Sequence, residues 1–494
     1  MNNIIVLPLI IPIITAVILV FLREHIILQR IITLITMVFI SAISVVLLLV
    51  VQSNGIIKID FSGWLPPFGI LFVADSFALL MVIISSIVTI LCLIYSFSTI
   101  GYKHEHMFFY PFVLFLIAGV NGSFLTGDIF NLFVCFEVML FASYVLVALG
   151  GEKIQLRESL KYMLINVVAS WIFLVALAYL YGTIKTLNMA HIADRVAEVG
   201  QNPLITTVAI LFLIVFSLKA GLLLFFWLPG SYTVPPTAVQ ALFAALLTKV
   251  GIYALIRTFT LMFPLNQEVT HTLIGIMAGI TIIAGCMGAL SGKDVYTIAT
   301  YNVIIGVGFI LIGLAVGTES AISGAIYYLM HDMVAKALLF LLIGTMVYLT
   351  GETVVKRMSG LIQHYPLFGW MFLIVLLALT GVPPLSGFVG KILIGQGAIE
   401  AGSFVLLAIG FASSVIVLYS LLRIFLASFF GETTVSEEDK KPIPKGVMMS
   451  FILLTLSMIY LGVGVESLSV YVQDATRTLM NPSVYIDAIL EEGM

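Results

Sequence analysis

LFLIVFSLKAGLLLFFWLPGSYTVPPTAVQALFAALLTKVGIYAL, residues 211–255, decides the fold class. It joins two apolar runs, each holding one lysine (Lys219 and Lys249), through a turn that carries Pro229, Gly230, Pro235 and Pro236. A membrane-spanning helix needs about 20 mostly apolar residues, because hydrocarbon offers backbone N–H and C=O groups no partner. Carried outward, that ruler marks runs near 4–22, 28–51, 73–98, 108–126, 129–149, 160–182, 204–228, 238–262, 271–290, 295–317, 320–349, 367–396, 404–428 and 447–465. The expectation is an all-α polytopic membrane protein of about fourteen transmembrane helices, with no linker long enough to separate domains. Composition agrees: the 494 residues are 61% hydrophobic and 10% charged, where soluble chains run about 45–50% and about 25%.

Composition also excludes several functions. Net charge is −3, and no basic tract suggests nucleic acid. Cys92, Cys135 and Cys286 lie far apart inside apolar runs, without the spacing of a zinc site, iron–sulfur cluster or disulfide framework. They read as buried, inert thiols. No cofactor or metal site is expected. The N-terminal run lacks a basic leader and is too long for a signal-peptide core, so it reads as a retained first span.

Basic residues give an orientation. Loops after odd-numbered spans hold Arg23, Arg30, Lys103, Lys153, Arg157, Lys161, Lys293, Lys356, Arg357, Arg423, Lys440, Lys441 and Lys445, against Lys58, Lys185, Arg195 and Arg477 on the other side. The positive-inside rule then places both termini outside. Residues 188–199 carry Met189, Ile192, Val196 and Val199 on one helical face, which suits a helix lying at the membrane interface. The polar stretch 431–445 reads as a solvated loop on the basic side.

Lys219, Lys249, Arg257, Lys336 and Lys391 remain within spans. A charge at mid-bilayer costs about 2.5–3.5 kcal/mol on insertion scales. Arg257 lies near a span end and is expected to snorkel to the interface. Glu137 has no local counter-charge, so its partner must come from another span. Lys219 and Lys249 likewise have no local acid. Asp332 and Lys336 stand four residues apart and can pair on one helix face. His331 is placed well inside a span and has the ring chemistry for proton transfer. A static interhelical salt bridge, or a satisfied structural histidine, would account for part of this set. A titrating relay would account for all of it, because burial disfavours the charged form of either group and a neighbouring charge decides the outcome.

Two spans are interrupted. Pro229, Gly230, Pro235 and Pro236 follow Lys219; Gly381, Pro383, Pro384 and Gly387 precede Lys391. Proline removes an intrahelical donor and frees a carbonyl, and such backbone survives at membrane depth only beside protein or water. The breaks fall in the seventh and twelfth spans, with the order of lysine and proline reversed. That suggests two inverted five-helix repeats, spans 4–8 and 9–13, and broken helices at matching positions point to an ion-handling site. The corresponding division is 1–107, 108–262, 271–430 and 447–494, the last being one span with a polar tail.

GDIFNLFVCFEVM (127–139), the 211–255 stretch, HDMVAKALLFL (331–341) and GVPPLSGFVGK (381–391) together resemble the proton-translocating antiporter-like subunits of respiratory complex I and their relatives. The resemblance covers spans three to thirteen, and within that group it is nearest to the D subunits of Mrp-type Na⁺/H⁺ antiporters. Complex I relatives commonly place histidines around the Trp-Leu-Pro turn. Here Phe225, Phe226 and then Gly230, Ser231 and Tyr232 stand instead, which favours the Mrp type. The resemblance implies a midplane proton relay of Glu137, Lys219, Lys249, His331, Lys336 and Lys391, with Glu137 paired to Lys219. It implies a transporter component rather than an enzyme, in a plasma-membrane complex with the A, B, C, E, F and G subunits, handling H⁺ and Na⁺. A pumping component of a complex I-like or hydrogenase complex, and a purely structural scaffold, are the alternatives.

Overall fold

The computed structural model describes residues 2–64, 69–200, 202–264, 267–433 and 440–490. The helices are α1 (Leu7–Phe21), α2 (Ile26–Asn54), α3 (Ser76–Thr99), α4 (Phe109–Leu125), α5 (Ile129–Val147), α6 (Lys153–Ile184), α7 (Met189–Val199), α8 (Pro203–Ala220) and α9 (Thr237–Arg257). They continue with α10 (Gln267–Ser291), α11 (Val295–Val316), α12 (Glu319–Thr350), α13 (Pro366–Thr380), α14 (Ser386–Glu400) and α15 (Phe404–Phe429). The chain closes with α16 (Lys445–Val463), α17 (Val465–Met480) and α18 (Pro482–Leu490). Among the described residues twelve helices are long and apolar enough to cross a membrane. The segments at α4 and α13, counted as spans from sequence, form shorter apolar helices.

The starts and stops follow local chemistry. A helix leaves its first N–H groups unpaired, and side chains accept from them at Asp75 (Ala78 N, 2.8 Å), Asp128 (Asn131 N, 2.7 Å), Asn188 (His191 N, 3.1 Å) and Asp294 (Tyr296 N, 2.9 Å). Gly221 (φ 75°) and Gly381 (φ 92°) end α8 and α13 in the left-handed region, where only glycine escapes the Cβ clash. Gly251 allows a close crossing: a Cβ there would stand 2.5 Å from Ala220 N. α9 therefore packs directly on the lysine-bearing end of α8.

The structure adds three features to these expectations and corrects a fourth. Between the second and third runs, β1 (Ile57–Asp60) pairs antiparallel with β2 (Leu71–Ala74), which the sequence reading did not anticipate. The polar tail after 465 folds into α17 and α18. α7 forms as expected, yet Met189, Ile192 and Val196 are buried in protein while Val199 is 52% exposed, so its apolar face is covered by this chain itself. Arg257 does not snorkel; it is 5% exposed and ion-paired. Of the loop 431–445, residues 434–439 lie outside the described residues.

Loops sort into two faces. On the hairpin face, Ile129 N donates to Leu187 O (2.9 Å) and Lys58 Nζ to Ile489 O (2.6 Å). On the opposite face, Arg23 Nε donates to His106 O (3.1 Å), Val295 N to Thr353 O (3.0 Å) and Lys441 Nζ to Tyr348 O (3.0 Å).

Candidate functional site

The six residues singled out from sequence fall into three groups of buried or half-buried ionisable side chains. In the first, α5 carries Glu137 and α8 carries Lys219, with Glu137 Oε1 4.0 Å from Lys219 Nζ. Ser170 of α6 lies between them: it donates to Glu137 Oε1 and accepts from Lys219 Nζ at 3.3 Å. The ammonium also lies 5.3 Å from the Phe136 ring centroid. Lys219 is buried, whereas the Glu137 side chain keeps 23% of its exposure.

The second group joins α9 to α12. Lys249 Nζ stands 2.7 Å from Asp332 Oδ2, both side chains at 0% exposure, and donates to Ala244 O at 2.7 Å. Lys336 Nζ is 3.7 Å from Asp332 Oδ1 and donates to Asn302 O at 2.9 Å. One carboxylate therefore serves two ammonium groups. The local i,i+4 pairing read from sequence is present, but it is the longer of the two contacts. Next to Asp332, His331 turns toward the break, its Nδ1 2.7 Å from Ser386 Oγ at the start of α14.

The third group is built by the break itself. Helix ends leave carbonyls without intrahelical donors and carry partial negative charge. Lys391 of α14 donates to two such carbonyls at the end of α13, Leu379 O (3.0 Å) and Thr380 O (2.8 Å), and to Ser414 Oγ of α15 (2.7 Å). Its ammonium sits over the rings of Phe309 and Tyr328 at 5.3 and 5.7 Å. His331 and Lys391 both engage α14 at the break, one through Ser386 and the other as a residue of that helix, which brings the second and third groups side by side.

The six residues singled out in the sequence thus lie in the interior, each with a named partner. Asp332 is the residue the sequence reading passed over as a site member. Its signal was visible as the one carboxylate deep in the 320–349 run, but the link to Lys249 spans 83 positions and two helices. The cysteines are free thiols, with Cys92 and Cys135 buried and Cys286 half-buried.

Two polar groups sit outside the spans. Burial pushes the Asp128 carboxyl up to about 6 although it caps α5. Burial, then the neighbouring Arg195 guanidinium, holds the His191 ring below the usual histidine range.

Apolar helices around a row of buried acids and bases, crossed by two broken segments, define a polytopic membrane protein built to handle small cations. Residues 126–417 match the family described as NADH:quinone oxidoreductase/Mrp antiporter, transmembrane region. The chain is 46% identical over 493 residues, covering 100% of both sequences, to the Na⁺/H⁺ antiporter D subunit of Bacillus subtilis (strain 168). It superposes with a TM-score of 0.92 on a chain of the Mrp complex from Dietzia sp. DQ12-45-1b, at 27% identity over 99% of this chain and 100% of that one. A chain of the membrane-bound sulfane sulfur reductase, an archaeal respiratory membrane complex, superposes equally well, with a TM-score of 0.92 at 26% identity over 99% of this chain and 100% of that one. The protein belongs to the NADH:quinone oxidoreductase/Mrp antiporter transmembrane family, on the branch of the antiporter D subunits.

Proposed function

We propose that this chain translocates protons as the D subunit of a multi-subunit Na⁺/H⁺ antiporter in the plasma membrane, working with A, B, C, E, F and G subunits. One observation carries the reading: Lys219, Lys249, Lys336 and Lys391 share only Glu137 and Asp332 as carboxylate neighbours among the described residues. Four buried cations against two anions favour a state in which at least one lysine has given up its proton, since uncompensated charge in the membrane is costly. A static scaffold would have no use for the surplus.

In this mechanism ionised Glu137 holds the proton on Lys219. At 4 Å and an effective dielectric of 20 the attraction is worth about 4 kcal/mol, close to a thousandfold in proton occupancy. Ser170 bridges the two groups and keeps the proton local. Neutralising or separating the pair sends that proton to the Lys249 amine, whose ammonium form Asp332 stabilises, and then by water and His331 or Lys336 to Lys391. Coupling this transfer to Na⁺ movement completes the exchange.

Two architectural readings accompany it. Helices over 108–262 and 271–430 form two inverted five-helix repeats, flanked by 1–107 and 447–494, with α4 and the broken α13–α14 completing fourteen crossings. The reversed order of lysine and break in α8 and α14 supports this. The basic face lies inside and both termini outside, supported by the excess of Lys and Arg in the loops after odd-numbered spans.

The test is Na⁺-dependent proton flux in vesicles carrying the complex with Glu137→Gln or Lys219→Ala. Loss of flux with intact assembly is expected; normal flux with normal assembly contradicts the proposal. The respiratory-complex likeness supports a second reading, a proton pump component powered by redox partners. Flavin or iron co-purifying with the intact complex would favour it.

A further inference from the structure

Arg257 and Asp75 form a buried ion pair that the relay does not use. Arg257 Nη1 lies 2.6 Å from Asp75 Oδ2, with side-chain exposures of 6% and 1%. Lys249, Tyr253 and Arg257 recur at i, i+4 and i+8, so they form one polar stripe on α9. Arg257 lies ~12 Å along the axis from Lys249 toward the hairpin face. Such a stripe would serve as a proton exit unless something closes it.

The chemistry at its end is that of a closure. A guanidinium stays protonated at any working pH and cannot pass a proton on. Tyr253 is committed on both sides: its hydroxyl donates to Phe124 O (2.7 Å) and accepts from Arg257 Nη2 (3.0 Å). Asp75 Oδ1 is taken by Ala78 N. Three rings, Phe77, Tyr253 and Tyr485, surround the guanidinium at 5.6, 5.4 and 5.3 Å. The named contacts thus tie up the Tyr253 hydroxyl and both oxygens of Asp75, and the rings narrow the space around the guanidinium.

Tyr485 comes from α18, at the far end of the sequence. Helices α17 and α18 run across the hairpin face and are fastened at four further points. Ser76 Oγ donates to Asp474, Ser323 Oγ and Thr476 Oγ1 lie 2.9 Å apart, Tyr327 Oη donates to Val465 O at 3.0 Å, and Lys58 Nζ donates to Ile489 O.

We infer that the Asp75–Arg257 pair, lidded by Tyr485, is a plug that closes the Lys249 stripe to the hairpin face, and that α17–α18 are the strap holding it shut. This rests on Lys249 being a relay group, and it adds that protons do not leave the first bundle at this end of α9. A barrier of this kind is what keeps exchange coupled: an open stripe would let protons run without sodium.

The experiment reads passive proton leak in Na⁺-free vesicles bearing the whole complex, by dye-monitored decay of an acid pulse. Tyr485→Ala should raise the leak severalfold at equal complex content, Tyr485→Phe should not, and adding Lys249→Met to Tyr485→Ala should abolish the gain. If Tyr485→Ala fails to assemble, Ser323→Ala with Thr476→Val loosens the strap away from the pair and should leak likewise. Vesicles as tight as the parent with either strap variant overturn the inference. So does a leak that persists without Lys249, because protons would then be passing around the stripe. Because the readout contains no sodium, it is separate from the antiport test: a leak with antiport unaffected by Glu137→Gln would remove the proposed coupling and leave the plug.

Discussion

Lys219 and Lys249 lie on neighbouring helices that touch at Ala220 and Gly251, yet each meets its carboxylate under different conditions. Lys219 has Glu137 at 4.0 Å, a serine between them and a partly exposed acid. Lys249 has Asp332 at 2.7 Å with neither side chain exposed, and Asp332 also faces Lys336. A loose, partly exposed pair can be shifted by small changes in distance. A dry, close pair resists such shifts and, once Lys249 is protonated, holds the proton firmly. On this account the first group is the control point and the second the store.

The largest expected effect falls on the dry group. Asp332→Ala leaves two buried ammonium groups without a carboxylate, and breaking one side of a buried pair costs about 3–5 kcal/mol. Poor assembly and loss of flux are expected, measured by complex yield and vesicle transport. An assembled, active Asp332→Ala complex would show that Asp332 is dispensable and dissolve the contrast.

Next is Glu137→Gln, which keeps shape and removes charge. Assembly should be retained while Na⁺-driven proton flux falls by an order of magnitude or more, consistent with the roughly 4 kcal/mol carried by the pair. Ser170→Ala should act in the same direction but less, since a hydrogen bond to a charged group contributes about 1.5–3 kcal/mol. Its signature is a shift in the pH dependence of flux rather than in assembly. Equal pH profiles in Ser170→Ala and the parent would show that the serine only fills space.

The smallest effect lies outside the relay, at Asp128. Its carboxyl is raised in the folded chain to about 6 from 3.8, so the folded state binds the proton more tightly than the unfolded one. The stability it contributes is present below about 4 and is lost as pH rises to about 6, with a slope of at most about 1.4 kcal/mol per pH unit. Asp128→Asn keeps the cap on α5 and should flatten that slope in thermal unfolding of the purified complex. An unchanged slope would assign it to other groups.

The row of ionisable groups was legible because a charge inside an apolar run stands out in one dimension. The breaks at Pro229 and Pro383 were legible because proline and glycine act locally. What was not legible depends on distance in sequence. Asp332 read as a partner for Lys336, four residues away, because nothing in the chain points from it to Lys249. Arg257 read as a snorkelling cation because its partner, Asp75, lies 182 positions earlier and its aromatic cover includes Tyr485 near the other end. The hairpin at 57–74 was missed because each strand is four residues long, too short for alternation to emerge.

The central claim is that the buried lysines change protonation during exchange. Nitrogen-15 magnetic resonance of lysine-labelled complex in vesicles, with the buried signals assigned by single Lys→Met variants, reads ammonium against amine directly. The account predicts that at least one of Lys219, Lys249, Lys336 and Lys391 converts between the two forms within the working pH range, and that Glu137→Gln alters the balance at Lys219. Four permanent ammonium signals, unchanged by pH and by Glu137→Gln, would contradict it.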